Sequence, residues 1–393
     1  MFIYFCIIIL IFFTACDKPS LHIAEHKYKS LRLEAPQSLK DSQSLKGLTE
    51  VIKVQIDYFN RLVLNQRETK YISLAYARNQ LECFRLFYEG LQSASSEEDF
   101  YRFVEENFDF YKSRGIDGKV FFTGYYSPII NGSLRESETF SYPLYPIPDD
   151  RITINLRHFR IGINKILYGR IQDTQIVPYY TRREIDEKLG FNHNPLIYVQ
   201  DPVEAFILHV QGSGFVRLED GSLFPVHYAG TNGHRYVSIG KLLIEDKKIP
   251  PSRMSMQAIK DYFHDHPHDI KSYLYKNPSY VFFKKGDDHG SRGSLGLPIK
   301  GGRSIAADRE VFPKGALSYV ITERPVSINE KGEVVREQFS AFVIDQDSGG
   351  AIKGPGRVDI YWGEGKEAGF MAGYMKSYGA IYYLQKKHMK RKS

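Results

Sequence analysis

The chain has 393 residues, 42% of them apolar, and a formal charge of +7. That is enough material for two cored domains and excludes a disordered chain. The charge excess lies largely in the tail Lys386 to Lys392 and is too modest to indicate a nucleic-acid partner.

Residues Phe2 to Phe13 form an apolar run of signal-peptide length that ends in Thr14-Ala15-Cys16. Small residues just before a cysteine are what a lipoprotein signal peptidase reads. The pattern therefore predicts a signal peptide over 1–15 and a lipid on Cys16, although Phe13 replaces the commoner Leu and no basic residue precedes the run. Cys83 is then the one thiol left in the mature chain. It allows no internal disulfide and reads as a buried small residue. A stretch rich in Lys, Ser and Gln, over 16–44, reads as a tether.

Helices open the folded body. Leu48, Ile52, Gln55, Phe59 and Leu62 recur at the period of one helix face. Ser95 and Glu98 read as a capping box that opens another helix through Phe108, with Gly115 beyond its end. From about Lys119 short β-type runs take over, among them the compact run Phe206 to Val210. Phe215–Leu218 and Leu223–Val226 flank a turn and predict a hairpin, as do Ser318–Thr322 and Phe339–Ile344 around Asn329 to Gly332. Met254 to Tyr275 reads as a helical interlude. Strands at this density suit barrels or sandwiches rather than a parallel sheet with crossover helices.

Several glycine-rich motifs fail on spacing. Gly363 to Gly369 lacks the dinucleotide pattern, no Walker loop is present, and Gly212-Ser213-Gly214 is not a nucleophile elbow. His264, His266 and His268 lack a carboxylate pattern that would make them metal ligands, so neither a metal nor a cofactor is expected. His209 and His234 lie near glycines and could line a groove, but a hydrogen-bonded structural role is commoner for a lone histidine. The strongest constellation is C-terminal, where Asp347 and Asp359 flank the turn Ser348-Gly349-Gly350 to Gly354, with Asp308 upstream. An aspartate beside glycine is usually a turn residue. Asp359 differs because it stands within the apolar run Val358 to Trp362, where burial raises a carboxyl pKa toward the range of a general acid. Arg357 is on the same expected strand face and opposes that shift.

These residues, with Phe122-Thr123-Gly124-Tyr125-Tyr126-Ser127-Pro128, Tyr180 to Ile185, His209 to Gly214, Tyr228 to His234, Ser238 to Lys241 and Asn277 to Phe283, resemble the membrane-bound lytic murein transglycosylase A family. The family's C-terminal part is named the 3D domain after three aspartates. The resemblance implies a mainly β fold with N-terminal helices, in which a double-psi β-barrel (45–128 with 286–393) is interrupted by an inserted β domain (129–285) with a groove between them. It places the catalytic acid on Asp359, with Asp308, Asp347 and Lys353 supporting the site. It draws the groove along Thr123, Tyr125, Tyr126, Gln211, Ser213, Asn232 and His234.

The implied activity is lytic cleavage of the β-1,4 bond between N-acetylmuramic acid and N-acetylglucosamine in peptidoglycan, leaving 1,6-anhydro ends without a cofactor. The expected partners are glycan strands and, through the lipid, a membrane on the periplasmic side of the envelope; other cell-wall enzymes are candidates, nucleic acid is not. Two alternatives stay open: a muramidase-type hydrolase using Asp347 and Asp359 as a pair, and a wall-binding lipoprotein without activity.

Overall fold

The computed structural model describes residues 29–159, 162–163, 165–287 and 290–387. The expected signal peptide and Cys16 lie outside them. The N-terminal strand β1 (Leu31–Leu33) pairs with β2 (Phe108–Ser113), and three helices lie between them: α1 (Lys46–Leu64), α2 (Leu74–Ser93) and α3 (Glu97–Asn107). Next come β3 (Val120–Ser127), then β4 (Ile129–Ser133), β5 (Tyr142–Leu144), β6 (Ile152–Asn155), β7 (Ile166–Gln172), β8 (Gln175–Pro178), helix α4 (Arg182–Asp186) and β9 (Ile197–Val199). They are followed by α5 (Pro202–Gln211), β10 (Gly214–Arg217), β11 (Leu223–Thr231), α6 (Ile239–Glu245), α7 (Met256–Asp265), α8 (Asp269–Leu274) and β12 (Val281–Lys285). The C-terminal part supplies β13 (Ser304–Ala307), β14 (Leu317–Ile328), β15 (Val334–Asp347), β16 (Arg357–Glu364), α9 (Gly365–Tyr374) and β17 (Lys376–Lys386).

Strands β17, β14, β15, β13, β16 and β3 are hydrogen-bonded in that order, and β3 pairs back onto β17. The sheet therefore closes into a six-stranded barrel and leaves no free edge within the ring. Two of its pairings are parallel, β13 with β15 and β16 with β3, and the rest are antiparallel. Alternation along each strand sorts the side chains. Val120, Phe122, Ile305, Val320, Phe339, Ala341, Val343, Val358, Ile360 and Ile381 fill the interior. Leu317, Tyr319, Phe342, Ile344 and Leu384 face outward and meet the apolar stripes of α1 and α2, where Leu48, Ile52, Phe59, Phe84 and Phe87 are buried. Each such side chain contributes about 1.5–3 kcal/mol when fully buried.

A second body is built from residues between β3 and β13. Its six-stranded sheet runs β12-β11-β10-β4-β9-β5, and a separate three-stranded sheet, β6-β7-β8, stands beside it. The predicted hairpin of β10 and β11 is present, as are the β14–β15 hairpin and helices in the Met254–Tyr275 segment.

Three expectations need correction. The run Phe206 to Val210 belongs to α5. Asp201 caps the helix by accepting from the Val203 and Glu204 amides, Pro202 opens it, and Gly212 ends it at φ 82°. The cap of α3 is Ser96 rather than Ser95, accepting from the Asp99 amide. The tether does not extend to residue 44. Leu39 is buried in the helix–barrel core, and the Asp41 carboxylate receives the Arg303 guanidinium at 2.6 Å with both groups buried. Cys83 is buried on α2 as expected, and burial pushes its thiol up to about 11.

Candidate active site

Register in the barrel wall gathers the acidic residues. Ala306 on β13 is paired with Asp347 of β15 on one side and with Asp359 of β16 on the other, and Asp359 is paired in turn with Thr123 of β3. Residues that pair across strands project to the same face. Val358 and Ile360 point inward, so Asp359 points out of the barrel, as do Thr123 and Tyr125. Asp347 reaches this row through a bulge: Ile305 pairs with Asp345 but Ala306 pairs with Asp347, which leaves Gln346 as the extra residue. The alanine methyl between the two acids keeps the row open. Two strand spacings put their Cα atoms about 10 Å apart.

The two carboxylates differ in their partners. Asp347 accepts from the Tyr125 hydroxyl (2.9 Å) and from the amides of Ser294 and Ser348 (2.8 Å each). Burial raises its pKa, opposed by those three donors and by the charge of Lys314. Asp359 has an oxygen, Oδ1, that is out of contact with solvent and has no hydrogen-bond partner. Burial pushes its carboxyl up to about 7; the Arg357 charge opposes the shift and the Asp347 charge adds to it. Arg357 is on the same face, as alternation predicts, but makes no ion pair with Asp359 within 4.0 Å; its Nη2 approaches Thr123 Oγ1 at 3.4 Å. Desolvation therefore outweighs the neighbouring cation.

Asp308 is held as a loop anchor. Its carboxylate accepts from the Gly354 amide (2.8 Å) and the Glu310 amide (3.1 Å), fastening the β15–β16 connection to the end of β13. Lys353 is exposed and reaches Asp308 only at 4.0 Å. Asp345, to which the sequence assigns no role, is fully buried in an ion pair with Lys314, whose Nζ also donates to the Asp347 carbonyl at 2.5 Å. The Tyr383 hydroxyl donates to its other oxygen at 3.2 Å. Sequence reasoning missed Lys314, Ser294 and Ala306, because a Pro-Lys-Gly turn, a serine amide and a strand alanine carry no chemical signature.

The groove residues divide. Thr123 and Tyr125 share the face of Asp359, and the Tyr125 ring lies 5.1 Å from that of Tyr361. Gln211 bridges the bodies, its Oε1 accepting from the Tyr126 amide at 3.1 Å, while the Tyr126 side chain is buried against Ala368 and Ala372 of α9. Ser213 lies in the inserted body, where its Oγ accepts from the Tyr228 amide at 3.4 Å. Asn232 is corrected to a structural residue: it is 1% exposed, donates to the carbonyls of Tyr180 and Pro278, and accepts from the Tyr280 amide. His234 is likewise engaged, its Nε2 lying 2.6 Å from the Tyr179 carbonyl. His209 is buried beside Arg182, and burial holds it neutral.

Fold and site define a two-domain barrel enzyme with a carboxyl on the barrel's outer wall whose buried Oδ1 has no hydrogen-bond partner and whose pKa burial raises. A family model described as the MltA specific insert domain matches residues 121–284, and one described as the 3D domain matches residues 303–385. The chain belongs to the membrane-bound lytic murein transglycosylase A family. It is 32% identical to the Escherichia coli K12 protein of that name over 311 residues, covering 78% of this chain and 76% of that one. The Vibrio cholerae protein is 33% identical over 269 residues, covering 68% and 66%. The structure of E. coli MltA with bound chitohexaose superimposes with a TM-score of 0.71 at 28% identity, over 91% of this chain and 94% of that one.

Proposed function

We propose that the protein is a lytic transglycosylase that cuts the β-1,4 bond between N-acetylmuramic acid and N-acetylglucosamine, with Asp359 acting first as acid and then as base. Protonated Asp359 gives its proton to the leaving glycosidic oxygen as the bond to C1 breaks. The resulting carboxylate takes the proton of the muramyl 6-hydroxyl as that oxygen closes onto C1, so water is neither consumed nor released. An attacking group within the same sugar gains the advantage of an intramolecular reaction.

The observation that carries this reading is the contrast in partners: Asp359 Oδ1 is buried and unpartnered, whereas Asp347 is bound by three donors and Asp308 by two. A carboxyl raised to about 7 keeps a large protonated fraction at neutral pH and is mostly protonated below it, as a general acid needs. Hydrolysis by an aspartate pair needs a second carboxylate free to act on water or the sugar, and the occupied lone pairs of Asp347 argue against that role. Asp308, Asp347 and Tyr125 are supporting residues in this scheme, and the barrel, which starts at β1 rather than at residue 45 and resumes at about 286, and the insert (129–285) are its two domains.

Glycan strands are the substrate, in keeping with the chitohexaose bound by the E. coli relative. The relatives named membrane-bound support a place in the cell envelope. The apolar run ending in Thr14-Ala15-Cys16 supports a lipid on Cys16 as the attachment; among the described residues no helix is long and apolar enough to cross a membrane. Mass spectrometry of products from purified sacculi tests the reaction. Ends lacking one water relative to reducing sugars are expected, and reducing ends alone would replace the proposal with hydrolysis.

A further inference from the structure

The small sheet β6-β7-β8 has two unlike faces. On one, the Arg151 guanidinium lies over the Tyr168 ring and that of Arg170 over Tyr180, each at 4.2 Å, and Gly233 packs against Tyr168. This face is tied to the inserted body. On the other, register sets Ile154 opposite Leu167, Ile152 opposite Gly169, Gly169 opposite Pro178, and Ile171 opposite Ile176. That face is apolar and open: Ile171 is 67% exposed and Ile176 56%. The β6–β7 connection adds Phe159 and Ile163, at 60% and 49%. Exposed aliphatic and aromatic side chains gathered in one element mark an interaction surface.

Charge identifies the partner. Across the sheet, from Arg151 to Pro178, the sequence has Arg151, Arg157, Arg160, Lys165 and Arg170 against the single acid Asp173, and Arg157, His158 and Lys165 are exposed beside the apolar residues. The β14–β15 hairpin provides the contrast, because its exposed Val326, Ile328 and Val335 stand among charges of both signs, Glu323, Glu330, Glu333 and Glu337 with Arg324, Lys331 and Arg336. An apolar face with a mainly basic rim, Asp173 in the β7–β8 turn being its one acid, suits shallow insertion into a bilayer whose headgroups are anionic, the aliphatic side chains entering the acyl boundary while the bases meet phosphate. A glycan strand would need hydrogen-bonding groups, which the exposed isoleucines do not offer.

We propose that the open face of β6-β7-β8 rests on an anionic bilayer surface and so orients the inserted domain against the membrane. The test uses the full chain reconstituted into vesicles with brominated acyl chains, either phosphatidylcholine alone or with phosphatidylglycerol. Ile171→Trp places an indole on the face, and Ile328→Trp places one on the mixed-charge β14–β15 hairpin. With phosphatidylglycerol, Ile171→Trp emission shifts to the blue and is quenched, and high salt reduces the quenching; Ile328→Trp stays unquenched. The double change Ile171→Glu with Ile176→Glu, in a chain that releases soluble products in detergent at the unmodified rate, lowers binding to these vesicles. Absence of quenching at residue 171, equal quenching in phosphatidylcholine alone, or shielding that depends on protein concentration or added sacculi rather than lipid would each overturn the proposal.

Discussion

Asp345 and Asp359 lie in the same barrel, each with a basic side chain nearby, yet they meet opposite fates. Asp345 continues the inward alternation of β15 and meets Lys314 in the dry interior, so its charge is matched within one contact. Asp359 points out of β16, and its neighbour Arg357 turns toward Thr123 without closing an ion pair. Burial pushes both carboxyls up, to about 6 and about 7. The difference is what stands within hydrogen-bonding reach: a committed ammonium in one case, an empty oxygen in the other. In the mechanism proposed, the register of its strand, not its identity, decides whether a buried acid is structural or reactive.

The largest expected effect comes from erasing the reactive member. Asp359→Asn should lower release of 1,6-anhydro products by about a thousandfold, within the range for a lost general acid–base group, with near-ultraviolet dichroism unchanged. Stability supplies a second reading. The folded pKa of Asp359 lies above its unfolded value, so its contribution is fully present below about 4 and is lost as pH rises through about 7. The asparagine variant escapes that loss, and its melting-temperature advantage over the unmodified protein should grow as pH rises from about 4 to about 7 and level off above that. Activity retained near the original level would remove Asp359 from the mechanism.

Breaking the structural member should act on folding instead. Lys314→Met leaves Asp345 buried without its cation, a change that costs about 3–5 kcal/mol, measurable by urea denaturation. Adding Asp345→Asn should recover much of that loss; failure to recover would show that the Asp347 carbonyl contact dominates. The smallest effect sharpens the comparison: Arg357→Met removes the charge that holds Asp359 down, so the alkaline limb of kcat/KM, which falls as pH rises through about 7, should move upward. A limb that moves downward would mean that Arg357 acts through the backbone rather than through its charge.

Much of this was legible in the residues. Alternation exposed the β14–β15 and β10–β11 hairpins, and Val358 to Trp362 read as an apolar strand holding an acid. What escaped depends on distant partners. Asp41 reads as part of a polar tether because Arg303, which buries it, is far along the chain. Asn232 reads as a groove residue through the resemblance and His234 also because it neighbours a glycine, whereas their partners are carbonyls of other segments. The bulge that aligns Asp347 with Ala306 is a property of paired strands and has no trace in either one. The α5 helix was the avoidable error, since Asp201, Pro202 and Gly212 mark both of its ends.

The parallel pairing of β16 with β3 also bears on how the molecule folds. These neighbours in the wall flank the whole insert and much of the C-terminal part, and β17, which closes the ring, is made after both. Contacts so distant in the chain carry a loop-closure cost and form slowly. The insert reduces the distance, because β4 and β12 lie three strand spacings apart in its sheet, about 14 Å. Once it has folded, the long excursion becomes a short bridge. A nascent chain can thus hold a finished insert while Thr123 still waits for Asp359, and wall-cutting power is the last property that synthesis confers.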